Sequence, residues 1–211
     1  MHSKHFRDWR LGSFLLLLAF ASSSHAVIID KIAAIVNDDV ITQSEVYATS
    51  QLNLHLSGLP AADDVLQERI NHNLVLQQLQ KQPPLLLTEE DVQQEIQAYA
   101  QRQGGTDQLS RFLNSIGMNY SDFETEVREQ LSIRRFIADR FRPFVNITLE
   151  EAEKYYDEVY KPRLQVLGQE VPPFPETFND IQNLLVEARM QDRIKDWLNE
   201  LHQSATINIK D

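Results

Sequence analysis

Beyond residue 26 the chain carries three histidines, His55, His72 and His202, and no cysteine anywhere. Thiol nucleophiles, disulfides and thiolate metal ligands are therefore excluded. The histidines are far apart, and no His-x-x-x-His or His-x-x-Glu-His spacing brings two of them onto one helical face, as a zinc site requires. There is no Gly-x-Ser-x-Gly elbow for a serine nucleophile. Neither a phosphate-cradling P-loop nor a dinucleotide glycine pattern is present. Carboxylates do cluster, at Asp38-Asp39, Asp63-Asp64, Glu89-Glu90-Asp91 and Glu150-Glu151-Glu153. None has the spacing of a calcium loop. Each falls in a turn or at a helix start, where an acid caps backbone N–H groups and complements the helix dipole. No catalytic residue, cofactor or metal site is expected from this inventory. The remaining chemistry is apolar contact. Phe112, Tyr120, Phe123, Phe136 and Phe141 gather in mid-chain, and Tyr155, Tyr156 and Tyr160 follow on one helical pattern.

The elements that would hold these side chains are mostly helices. Val65/Leu66, Ile70, Leu74 and Leu76/Leu79 recur at helical spacing between Asp63 and Gln82, and Pro83-Pro84 stop the run. Thr42 with Glu45, Thr88 with Asp91, Ser121 with Glu124 and Thr148 with Glu151 read as capping residues, each pair opening a helix. The first of these helices is expected to run to about Leu56, and the third to about Arg142. A shorter helix is expected over Thr106–Ile116, with Gly117 just past its end. A last long helix carries Val186, Met190, Ile194, Trp197/Leu198 and Leu201 on one face. Strand signals appear only at the ends. "IAAIV", the turn "NDD" and "VI" read as a hairpin, and Ile207 and Ile209 alternate with Asn208 near the C-terminus. A lone terminal strand is not stable by itself. The segment 206–210 is therefore expected to pair with 29–36. The fold class is mainly α: a multi-helix body with a small β-sheet made of the N-terminal hairpin and the C-terminal strand.

The first residues read differently. Lys4, Arg7 and Arg10 precede the apolar run Phe14–Ala21, and Ser24 and Ala26 supply small residues before a cut. That is the layout of a signal peptide over 1–26, giving a mature start at Val27 and a periplasmic location. The run is shorter than the roughly 20 apolar residues that span a bilayer. The net charge of −11 repels phosphate backbones, so nucleic acid is an unfavourable partner.

Two segments carry a family resemblance. "DKIAAIVNDDVITQSEV" (Asp30–Val46) is similar to the start of mature SurA-type periplasmic chaperones. "LNSIGMNYSDFETEVREQL" (Leu113–Leu131) resembles that family's helix-to-helix junction, through Gly117, Met118, Asn119, Tyr120 and Phe123. "ITLEEAEKYYDE" and "WLNELHQSATINI" look like its exit from the N-terminal domain and its closing helix and strand. The resemblance implies a helical N-terminal chaperone domain over 27–160 and a closing helix and strand over 177–211 that pack back on it. Full-length relatives insert one or two parvulin prolyl isomerase domains between these parts, each of about 100 residues. Here the corresponding place is 161–176, which overlaps the Pro-rich stretch "RLQVLGQEVPPFPETF" (Arg163–Phe178) and has no room for one. "KQPPLLLTEED" also departs from the family, which usually has a glycine-containing turn where Pro83-Pro84 sit.

What the resemblance implies is an ATP-independent periplasmic holdase, not an enzyme. Its partners would be unfolded or nascent envelope polypeptides, especially aromatic-rich outer-membrane proteins, without stable membrane insertion. Alternatives are a prolyl isomerase relative with residual activity and a dedicated escort or subunit of one envelope partner. Candidate peptide-binding residues are Phe112, Met118, Tyr120 and Phe123.

Overall fold

The computed structural model describes residues 30–54, 57–83 and 86–210. The signal-peptide expectation over 1–26 and His55 lie outside them.

Strand β1 (Ile32–Val36) turns at Asn37-Asp38 into β2 (Asp39–Thr42). Asn37 takes φ +55° there, a left-handed conformation that asparagine tolerates better than most residues. The same asparagine ties in the far end of the chain. Its N–H donates to the Thr206 carbonyl at 2.8 Å, and its Oδ1 accepts from the Thr206 N–H at 2.9 Å. Strand β3 (Ile207–Ile209) then runs antiparallel to β1, with Val36 opposite Ile207 and Ala34 opposite Ile209. The sheet has the order β2-β1-β3, so the two ends of the described chain close it together, as the lone-strand argument requires.

The helices are α1 (Gln43–Leu52), α2 (Val65–Leu79), α3 (Glu89–Arg102), α4 (Thr106–Ser115), α5 (Tyr120–Phe141), α6 (Leu149–Tyr155), α7 (Lys161–Val166) and α8 (Phe174–Ser204). Three of the four expected capping pairs are in place: Thr42–Glu45, Thr88–Asp91 and Thr148–Glu151, each reciprocal. The fourth is corrected. The cap of helix α5 lies two residues before Ser121, because Asn119 accepts the Asp122 N–H at 2.9 Å. Asparagine is among the strongest N-caps. Helix α1 also ends earlier than expected. Asn53 turns left-handed, φ +48°, and its N–H donates back to the Thr49 carbonyl. Leu54 then leaves the helical path and is buried.

The largest departure from expectation is at 161–176. The chain does not become a loop at Lys161. A π-helical turn over Tyr156–Tyr160 leads into α7. Pro162 has no N–H and its ring crowds the carbonyl one turn back. A widened turn just before it relieves that clash and keeps the chain helical to Val166. Gly168, at φ +66°, ends α7, and the Gln169 N–H returns to the Leu164 carbonyl. Pro175 lies in the first turn of α8, where a missing N–H costs nothing. The prolines therefore frame a tight reversal between two helices.

Three apolar cores result. One packs the sheet (Ala34, Val36, Ile41) on α2, the second half of α5 and the second half of α8. A second joins Leu52 and Leu54 to α3, α4 and the first half of α5. A third, smaller one holds Ile147, Ala152 and Ile181 together with Tyr155, Tyr156, Tyr160, Phe174 and Phe178. Here α6 and the π turn fold back against the first half of α8, and α7 extends beyond them. The Arg189 guanidinium reaches the Asn146 carbonyl and Glu151, while the Tyr156 hydroxyl donates to the Pro172 carbonyl at 2.8 Å. The pairing is antiparallel, so these elements form an arm.

Candidate polypeptide-binding surface

A polar cluster lies between α2 and α5. Arg69 Nη1 donates to Glu126 Oε2 at 2.7 Å, and Gln130 Nε2 donates to Glu126 Oε1 at 3.0 Å. His72 Nε2 stands 3.1 Å from Glu129 Oε2. Burial works to raise the Glu126 carboxyl, but the Arg69 guanidinium, His72 and the Gln130 hydrogen bond outweigh it and hold it below the usual carboxylate range. His72, Glu126 and Glu129 place donor atoms within 4.8 Å of one another. The positive charge Glu126 needs is already supplied by Arg69. The cluster is an interhelical network of ion pairs tying α2 to α5.

The α4–α5 junction is where the sequence placed its candidates. Gly117 takes φ +74°, and the Met118 N–H donates back to the Leu113 carbonyl at 3.0 Å. That is a glycine-closed helix end followed directly by the Asn119 cap. Phe112, Ile116 and Met118 are half-buried and lie against the second core. Tyr120 is 45% exposed. Phe123 is not available: it is 0% exposed, with its ring 5.2 Å from that of Tyr99. It stands one turn after the cap, on the α5 face that α3 and α4 cover, and so belongs to the core. Met118 also lines a cleft of about 380 Å³ with Ala48, Arg69 and the carboxylates of Glu45, Asp122 and Glu126.

Other exposed apolar side chains were not singled out from the sequence. Val166, 88% exposed, and Leu167 stand at the tip of the arm, with Val159 and Leu184 exposed along it. Leu86 and Phe144 protrude beside the end of α5. A signal existed for both groups. Val166-Leu167 directly precede a helix-ending glycine, and Leu86 follows a proline pair, so neither lies inside an amphipathic stripe with a buried face. Among the described residues, no helix is long and apolar enough to cross a membrane.

A helical body closed by a sheet from both ends, with a helical arm and scattered exposed apolar side chains, defines a domain whose visible chemistry is apolar contact. A family model, the SurA N-terminal domain, matches residues 29–137, just over half of the chain, and the chain belongs to that family. The chaperone SurA of Xanthomonas euvesicatoria pv. vesicatoria (strain 85-10) is 35% identical over 125 residues, covering 54% of this chain and 27% of that relative. The chaperone SurA of Vibrio vulnificus (strain CMCP6) is 26% identical over 209 residues, covering 95% of this chain and 48% of the relative. The chain thus spans about half the length of these relatives or less. Among solved structures, a chain described with the virulence factor PEB4 and the periplasmic protein Cj1289, two SurA-like chaperones of Campylobacter jejuni, matches with a TM-score of 0.51. It is 12% identical, over 86% of this chain and 99% of that one, and the likeness is one of fold.

Proposed function

We propose that the protein is a periplasmic holdase that binds unfolded envelope polypeptides, aromatic-rich outer-membrane proteins above all, without ATP. Residues 1–26 act as its signal peptide, and 177–211 return to the body formed by 27–160. The observation that carries this reading is the set of exposed apolar side chains at the start of α5 (Tyr120, beside the half-buried Met118) and along the arm (Val159, Val166, Leu167). Reversible apolar contact with an extended chain needs no reacting group. Ordering an unfolded client offsets much of the contact energy, which keeps binding weak enough for release. The acidic balance keeps a loaded carrier soluble.

The binder reading is favoured over an isomerase by the interior of the chain. Between the π turn and α8 there is only α7 and a short reversal, far less than the roughly 100 residues of a domain. A protease-coupled proline-isomer assay at high protein concentration is expected to stay at background. The main test is aggregation. The purified mature protein should suppress aggregation of a denatured outer-membrane barrel protein at near-stoichiometric ratio. No suppression at severalfold excess would overturn the proposal.

A further inference from the structure

A second concavity, of about 770 Å³, lies where the chain before α3 meets the end of α5 and the short 3₁₀ turn Arg142–Phe144. Its buried floor is Phe136, and its two walls are Leu86 and Phe144, 88% and 69% exposed. Arg135, Asp139 and Arg140 also line it, with Gln82 and Pro83 at the edge of the preceding chain. In a chain of net charge −11, two guanidinium groups against one carboxylate make this pocket unlike the acidic cleft beside Met118.

The two arginines are also held in place. Arg135 donates one N–H to the Leu86 carbonyl and stands 3.7 Å from Asp91. Arg140 lies over the rings of Trp197 and Phe141, at 5.2 and 5.6 Å. Stacking fixes the plane of a guanidinium and leaves its edge donors for an acceptor. Arg140 has no ion pair and no hydrogen-bond acceptor among the described residues.

We propose that this pocket receives the C-terminal residue of a client polypeptide. An apolar side chain would lie on Phe136 between Leu86 and Phe144, and its α-carboxylate would meet Arg140 and Arg135. Phe136 and Arg140 stand four residues apart on α5, so they share a helix face and line one pocket, and the ligand must offer a large apolar group and an anion within one residue's reach. A chain end does so. An internal Asp or Glu beside an apolar residue does not, because successive side chains of an extended chain point to opposite faces. A guanidinium whose edge donors are free suits a carboxylate in both charge and geometry. The inference rests on the chaperone reading and adds to it one feature of the client.

The test compares two labelled peptides by fluorescence anisotropy against the full protein. They share a sequence ending in Phe, one with a free carboxylate and one amidated. Amidation should weaken binding about tenfold, the scale of a charge-assisted hydrogen-bond pair. Arg140→Gln should bring the free peptide down to the amidated level, with thermal unfolding as a check on folding. Leu86→Ser and Phe144→Ser, which change only protruding side chains, should weaken both peptides. Equal affinity of the two peptides for the unmodified protein overturns the inference whatever the variants do. So does full recovery of affinity by an amidated peptide with a penultimate Glu. Aggregation suppression is measured on the same preparation. Equal affinities with suppression intact overturn the pocket alone, and amidation-sensitive binding without suppression overturns the chaperone reading alone.

Discussion

Tyr120 and Phe123 are three residues apart on one helix, and their rings lie 6.4 Å from each other, yet they do opposite work. Phe123 is fully enclosed by the second core, and Tyr120 leans over its edge. Phe123→Ala should therefore cost about 3–5 kcal/mol of stability, the range for emptying a buried aromatic site. Tyr120→Ala should cost about 1 kcal/mol or less. Denaturant unfolding of the two variants separates them, and comparable losses would show that Tyr120 is core as well. Two ionisable side chains give a pH dependence that can be signed in advance. The Thr148 backbone N–H and the Arg189 guanidinium hold the Glu151 carboxyl at about 2, against an ordinary 4.5. The unfolded chain then takes up that proton first. The contribution is complete above about pH 4.5 and is lost as pH falls toward 2. An NMR titration should place its midpoint near 2, and Arg189→Met should raise it part of the way, since the Thr148 cap remains. Burial holds the His202 imidazole below its ordinary 6.5, where it touches Asn71 and Gln67 of α2. Here too the unfolded chain protonates first, so stability falls as pH drops below about 6.5. His202→Gln should flatten that part of the stability curve, measured by thermal unfolding between pH 7.5 and 5.

At the scale of elements, the signals that survived folding are those whose physics is local or obligatory. A Thr three residues before an acid satisfies two orphan N–H groups wherever it occurs, and three such pairs cap helices as read. Ser121–Glu124 has the same spacing and failed, because Asn119–Asp122 offers a cap two residues earlier and lets Met118 follow directly from the glycine-closed end of α4. The terminal strand was legible because a strand without a partner is not an option. Its register, Val36 on Ile207, is set by the Asn37–Thr206 pair of hydrogen bonds, which no pattern announces. The stretch after Lys161 misled for a tertiary reason. Its prolines do break regular α-helix, but the π turn absorbs Pro162. Tyr156 stacks on Tyr160 and meets Phe174 edge-on, 5.9 and 5.5 Å between ring centres, so packing holds a helix where local propensity ends one. The candidate site was less legible than the fold. Apolar periodicity says which side chains avoid water, and not which of them a neighbouring helix covers. That difference separates Phe123 from Tyr120, and Ile147 at the base of the arm from Val166 at its tip.

At the scale of the molecule, α5 and α8 each serve two cores. Helix α5 contributes Phe123 and Val127 to the second core and Ile133 and Phe136 to the first. Helix α8 gives Ile181 to the arm and Met190, Ile194 and Trp197 to the body. The arm is thus carried on a helix of 31 residues whose second half is locked into the main core. Its tip holds apolar side chains in solvent without loosening the fold. Val166 and Leu167 take no part in the aromatic packing that holds the arm together. Replacing both by serine removes exposed apolar surface and leaves every core contact in place, so the thermal midpoint should shift by no more than about 2 °C. If the tip is a contact surface, the double variant should need about two- to threefold more protein for the same suppression of barrel-protein aggregation. Tyr120→Ala should add to that deficit, because the junction and the tip lie on different cores and distant sites combine independently. Unchanged suppression by the double variant, with folding intact, would remove the tip from the binding surface and leave the α4–α5 junction to carry it.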